Sequence, residues 1–171
     1  MICDIHMYPQ RLNKEGDWEV PDGLLTEFTP TEIEEEGDGH WRVEDNSYTF
    51  FKEKDNYIGR SYYLFNIMTF GVVRGDPAHS IPALAPKGIP DDLGDLLQKY
   101  WEDWEDDAHT PTYFTLEELR QLRMELLITD TPNSQDISTA ISLVEKVITH
   151  SFDIPENEDP ANYRVVFWFD N

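Results

Sequence analysis

The sequence predicts a single α+β domain over residues 1–171, a small antiparallel sheet that includes both chain ends, packed against three to four helices. Three observations predict it. Residues 2–8 alternate with the period of a strand, Ile2, Asp4, His6 and Tyr8 on one side and Cys3, Ile5 and Met7 on the other. The closing run Tyr163 to Phe169 is rich in valine and aromatics, the composition of a strand. Between them, several segments repeat apolar residues at helical spacing. A length of 171 residues is that of one domain. With 39% apolar and 13% aromatic residues, a wholly disordered chain is excluded.

Taken in order, the first strand turns back at Asn13–Gly16, and Asp17 to Val20 alternates again, which reads as a hairpin. Residues 21–39 form an acidic excursion; counted through Asp45 it holds nine acids against one base, Arg42. A short helical turn is expected at Pro30–Glu36, with Pro30 at a first helical position. Short strands are expected at His40–Val43 and Tyr48–Lys52, around an Asp45-Asn46 turn. Tyr62 to Arg74 carries Leu64, Ile67, Met68, Gly71 and Val72 on one stripe, with Ser61 as N-cap, and predicts a helix. Residues 75–90 hold four prolines and predict an irregular loop. Asp91 and Asp92 suit a helix start, followed by Leu93, Leu96, Leu97, Tyr100, Trp101 and Trp104; both tryptophans are expected to be mostly buried. Residues 106–112, broken by Pro111, read as a second loop. Thr115 and Glu118 form a capping box for a helix through Leu116, Leu119, Leu122, Met124 and Leu126 to about Ile128. Ser134 opens a last helix with Ile137, Ile141, Val144 and Ile148 on its stripe. An acidic loop at 153–162 leads into the final strand, which should share a sheet with the first.

The charge narrows the function classes. Lys and Arg number 13 against 35 Asp and Glu, a net −22. No basic stripe exists to bind nucleic acid directly, and docking on an anionic membrane is disfavoured. No apolar run reaches the roughly 20 residues of a membrane span, and no leader is visible at the N-terminus. A single cysteine, Cys3, forbids an intramolecular disulfide framework and reads as a small buried residue, so the cytoplasm is the expected compartment. The densest acidic stretch, Asp91–Asp107, holds eight acids and one lysine. It reads as a solvated helix face, or as an acidic surface that imitates DNA and occupies a basic groove. The alternation Asp103, Glu105, Asp107 lacks the glycine and distal glutamate of a calcium loop.

Several blocks carry a resemblance. They are Cys3-Asp4-Ile5-His6; Gly59, Arg60, Tyr62, Leu64 and Phe65; Gly88, Pro90, Asp91 and Asp92; His109, Thr115, Leu116, Glu118 and Leu119; and the ending Phe169-Asp170-Asn171. Together they resemble an uncharacterised group of small proteins encoded by bacteriophages and prophages. Tyr63 stands where that group has Asp, Pro111 replaces the second His of its His-Ser-His-Ser block, and Tyr113 replaces its Trp. The resemblance implies a phage origin, a shared fold and the cytoplasm of a bacterial host. It implies no activity.

Candidate site residues divide between binding and catalysis. Asp4 and His6 share a strand face, as in the Asp-x-His opening of several metallophosphoesterases. The Asn-His and Gly-His-x-His blocks of those enzymes are missing, and Gly75-Asp76 stands alone. A divalent metal on Asp4, His6 and His109 remains the hydrolase alternative. The bland reading of Asp4 and His6 is a hydrogen-bonded pair at the sheet. Basic residues are scarce, so Arg60, Arg74, Lys87 and Arg164 invite an anion pocket, with Tyr62 or a tryptophan to stack a base. Their ordinary reading is as dipole and acid partners. No nucleophile or phosphate-cradling motif is present. Binding is therefore preferred to catalysis, with no cofactor. The expected ligand-binding set is Asp4, His6, Arg60, Tyr62, Arg74, His109 and Arg164. The expected partner is a host protein or a small anionic ligand, with self-assembly left open. The resemblance and the loop placement together suggest that His6, Arg60 and His109 approach one cleft, with Asp4 orienting His6. The function expected is a phage-encoded binder that counters a host antiviral process, by sequestering a nucleotide-like signal or blocking a host protein.

Overall fold

The structure, a computed structural model, describes residues 3–22, 24–28, 50–53, 61–130 and 132–170. The expected helical turn at 30–36, the strand at 40–43 and Arg60 lie outside these residues. A four-stranded antiparallel sheet has the order β2-β1-β6-β5, where β1 is Ile5–Leu12, β2 Trp18–Glu19, β5 Ala108–Thr115 and β6 Tyr163–Asp170. Both chain ends meet at its centre, Ile5 opposite Phe169 through Arg11 opposite Tyr163. β3 (Leu25–Phe28) and β4 (Phe50–Glu53) form a separate two-stranded ribbon. The β3 segment falls where the sequence suggests only an acidic excursion.

Register explains why β2 is so short. Arg11 pairs with Glu19, so the next pair of that kind would set Pro9 against Pro21. Neither residue has an N–H, and the ladder stops.

The sheet is covered on both faces, which is why every residue from Tyr163 to Phe169 is buried. Odd positions of the central strands (Ile5, Met7, Val165, Phe167, Phe169) enter one core with α1 (Tyr62–Ile67), α3 (Leu116–Thr129) and α4 (Ser134–Ser151). Even positions (Tyr8, Val166, Trp168) enter a second core under α2 (Asp95–Trp104), where Leu93, Leu97 and Tyr100 close over them. Trp101 and Trp104 are partly buried against this second core.

Three sequence expectations change in detail. The helix expected over 62–74 ends at Ile67, because Phe70 and Gly71 both take positive φ and Gly71 N–H donates to the Asn66 carbonyl, closing the C-terminus. The Asn66 side chain then holds the turn by donating to the Asp76 carbonyl at 2.6 Å. The tryptophan helix starts at Asp95 rather than Asp91, since Gly94 is left-handed (φ 86°) and Asp92 is turned toward Arg164. The segment 106–112 is largely strand, not loop. Pro111 is tolerated because β5 is an edge strand, bulged between His109 and Thr112, and the Pro111 carbonyl faces outward to accept from Gly88 N–H. The 75–90 loop contains two proline-opened 3-10 turns, Pro77–His79 and Pro82–Leu84. The capping at Thr115 is as read, its hydroxyl accepting from Glu118 N–H at 3.1 Å.

Candidate functional site

His6 and His109 do not share a cleft. His6 lies opposite Trp168 and His109 opposite Phe169, so the two imidazoles emerge on opposite faces of the sheet. On the α2 face, His6 Nε2 donates to Asp170 Oδ2 at 3.1 Å and its ring lies 4.5 Å from that of Trp104. Asp4 N–H donates to Asp170 Oδ1 at 2.8 Å. The carboxylate seen against His6 Nε2 thus comes from the far end of the chain, and the cluster stitches the two termini together. On the other face, His109 stacks on Phe169 and its Nδ1 meets the Thr110 hydroxyl at 2.9 Å. The metal alternative on Asp4, His6 and His109 has no geometry to support it. Among the described residues no three His, Cys, Asp or Glu side chains gather as a metal site.

The expected anion pocket is also dispersed. Arg74 lies with its guanidinium carbon 3.6 Å from the Tyr62 ring centroid, on the exposed turn after α1. Lys87 pairs with Glu118 at 2.6 Å. Arg164 is buried on the opposite face, and each of its nitrogens has a partner: Nε donates to Gln10 Oε1 at 2.8 Å, one terminal nitrogen to Asp92 Oδ1 at 2.8 Å, the other to the Asp92 carbonyl at 3.1 Å. Trp18 covers it at 4.0 Å and donates to Asp92 Oδ2 at 3.1 Å. Gln10 in turn donates to the Leu93 carbonyl at 2.6 Å. This network fastens β1, β2 and β6 to the turn that launches α2.

The network makes a prediction about acid. Burial of Asp92 alone would raise its carboxyl, but the Arg164 hydrogen bond and charge outweigh that and hold it below the ordinary range. A depressed carboxylate stabilises the fold above its unfolded value, about 3.9, and that contribution is lost as the pH falls through the lower folded value. Asp92→Asn should therefore destabilise the protein at about pH 7, and the gap from the parent should be smaller at about pH 3, below the unfolded value. Urea melts at both values check this; a gap unchanged with pH would mean that the Arg164 pairing is not the source. Glu145 has the opposite sign. Burial raises its carboxyl against the pull of Arg123 and Arg120, so its contribution fades as the pH rises.

The feature that stands out is apolar. Among the described residues seven large hydrophobic side chains are exposed: Tyr62, Tyr63, Val72, Met124, Leu127, Ile128 and Leu143. All seven lie in the layer of α1, α3 and α4; none lies on the sheet or on α2. The most open are Met124, Leu127 and Ile128, 63%, 75% and 81% exposed, one i, i+3, i+4 stripe on α3. Leu116, Leu119 and Leu126 of the same helix are buried. Beside the stripe a groove of about 430 Å³ runs along the α3–α4 seam, lined by Leu126, Leu127 and Asp130 from α3 and its cap and by Ser134, Ser138 and Ser142 from α4. Sequence reading counts Met124 with the core stripe and gives Leu127 and Ile128 no role. The signal was available: α3 carries apolar residues at two helical registers, more than one core face can absorb.

The chain matches no protein-family model, no curated protein and no solved structure. No helix among the described residues is long and apolar enough to cross a membrane.

Proposed function

We propose that this chain is a binding protein that engages another protein through the outer surface of its three-helix layer. In the phage setting implied by the sequence resemblance, the partner is a protein of the bacterial host, blocked in the cytoplasm as part of countering an antiviral defence. The observation that carries the reading is the segregation into one layer of all seven large hydrophobics exposed among the described residues. Leaving such area in water forfeits about 25 cal/mol per Å², and grouped apolar side chains on a surface mark an interaction site. The acidic residues of α2 lie in the opposite layer, where they would speed encounter with a basic partner rather than form the contact. A nucleotide-sequestering pocket has less support, because Arg74, Lys87 and Arg164 stand apart and each already meets a protein partner. A hydrolase has less still, with the two histidines on opposite faces. An acidic DNA mimic is supported by charge alone.

The test is affinity capture by the tagged full chain from host cells, with and without Leu127→Asp combined with Ile128→Asp. Both positions are open to solvent, so the circular dichroism spectrum and melting temperature should stay within the range of ordinary surface changes. A protein captured by the parent and lost by the double variant supports the reading. Equal capture by both chains, or retention of a small anionic molecule alone, overturns it.

A further inference from the structure

Resting on that reading, we infer that Arg74, laid on the ring of Tyr62, is the point at which the helix layer receives a carboxylate side chain of the partner protein. Among the described residues Arg11, Arg74, Lys87 and Arg164 lie over aromatic rings. Arg11 also meets Glu19 at 3.0 Å, Lys87 meets Glu118 at 2.6 Å and Arg164 meets Asp92 at 2.8 Å. Arg74 is the exception. Among the described residues it meets no carboxylate and no hydrogen-bond acceptor. The chain holds 35 Asp and Glu against 13 Lys and Arg, so a cation left without an acid stands out. Arg74 is exposed, in the same helix-and-turn unit as the exposed Tyr62, Tyr63 and Val72.

The geometry suits a planar acid. At 3.6 Å from the ring centroid the guanidinium has to lie flat, since an edge-on group would drive a nitrogen into the ring. Stacking covers one face and leaves the N–H edges open. A flat, held guanidinium offers two parallel donors to a carboxylate and loses little freedom in doing so. The turn that carries it is fixed. The Thr69 hydroxyl donates to the Phe65 carbonyl at 2.8 Å and accepts from Val73 N–H at 3.3 Å. Asp76 N–H donates to Asn66 Oδ1 at 3.4 Å, and Gly71 lies so close to Pro77 that a Cβ has no room. Tyrosine and arginine beside apolar area are the residue types that dominate binding energy at protein interfaces. Charge then selects the source of the acid. Between residues 61 and 80 Arg74 is the only Lys or Arg. A free dianion such as phosphate has to enter the field of a net −22 chain, with no second cation in that stretch. A carboxylate on a basic partner is carried in by the attraction of that partner to the acidic residues of α2, and one guanidinium suffices for it.

The experiment follows the Arg74 Nε–H resonance in the isotope-labelled full chain, assigned by its disappearance in Arg74→Lys. The probes are a peptide with a single glutamate flanked by leucines and both ends blocked, its glutamine counterpart, and inorganic phosphate. The glutamate peptide should shift the resonance to saturation, the glutamine peptide should not, and phosphate at the same concentration should act severalfold more weakly. No shift with the glutamate peptide overturns the inference. So does an equal response to phosphate, which would make Arg74 a site for small anions. Tyr62→Leu keeps apolar area but removes the stacking surface, and should weaken the glutamate response severalfold. An unchanged response would mean an ordinary surface cation and would also overturn the inference. In the capture experiment above, Arg74→Gln should weaken binding of the captured protein about tenfold or more and flatten its salt dependence. Its melting temperature should stay within the range of surface changes. The broader reading is tested separately. If capture is lost with the Leu127, Ile128 double variant but ignores Arg74→Gln, the binding layer stands and the acidic anchor falls. If the double variant captures as well as the parent, the layer falls whatever Arg74 does.

Discussion

Trp168→Ala should lower the unfolding free energy by about 3–5 kcal/mol, the usual loss for truncating a buried aromatic. Trp168 is fully buried on β6, one of the two central strands, with ring centroids 4.5 Å from Tyr8, 5.0 Å from Trp101 and 6.1 Å from Tyr100. Its removal leaves a void under α2 that neither the sheet nor the helix can close. Phe167→Ala should cost a similar amount for the same reason on the other face, where Phe167 packs against Phe114 and Phe169. Trp168→Phe should cost less than truncation. It keeps most of the volume and deletes the indole N–H, which is buried without a hydrogen-bond partner. Urea unfolding followed by circular dichroism checks all three, with Met124→Ala as the exposed reference, expected within about 0.5 kcal/mol of the parent. Indifference to Trp168→Ala would mean that α2 is not anchored by this strand, and the two-core description would fail.

Gly94→Ala should be nearly as damaging, about 2–5 kcal/mol in all. Gly94 has φ 86°, which any residue with a Cβ resists, and a Cβ there would lie 2.5 Å from the Trp18 carbonyl oxygen. The obstacle is backbone. It can yield only if β2 moves away from the turn before α2, and that motion pulls the Trp18 indole off Arg164 and Asp92. Gly16 provides the control within the same molecule. Its φ is 88°, but a Cβ would meet nothing within 4 Å, so Gly16→Ala should cost only the conformational part, about 1–2 kcal/mol. The difference between the two variants measures the steric contact alone. Equal losses would mean that the close approach of β2 to Gly94 is not maintained in solution.

Elements whose signals are local were legible in the chain. Alternation at the N-terminus and the aromatic run at the C-terminus marked the two central strands, and backbone groups that need partners made a common sheet the natural answer. The Thr115 hydroxyl and Glu118 located the start of α3 within a residue, because a cap acts over three positions. The ordinary reading of Arg164 as an acid partner was also legible from its setting on a strand, whereas the carboxylate expected against His6 was that of Asp4 and the one seen on its Nε2 is that of Asp170.

The rest depended on contacts between residues far apart in the chain. Whether His6 and His109 meet depends on registers across β6, and a one-residue offset between Trp168 and Phe169 sends side chains to opposite faces. No spacing along the chain encodes that offset. β5 could form despite Pro111 only because it fell at the edge of the sheet, where a missing N–H goes unused. The helix start moved from Asp91 to Asp95 because Arg164, about 70 residues away in sequence, holds Asp92. The exposure of Met124, Leu127 and Ile128 follows from which side of α3 met the sheet. Once Leu116, Leu119 and Leu126 were buried, no described residue covered the second apolar stripe.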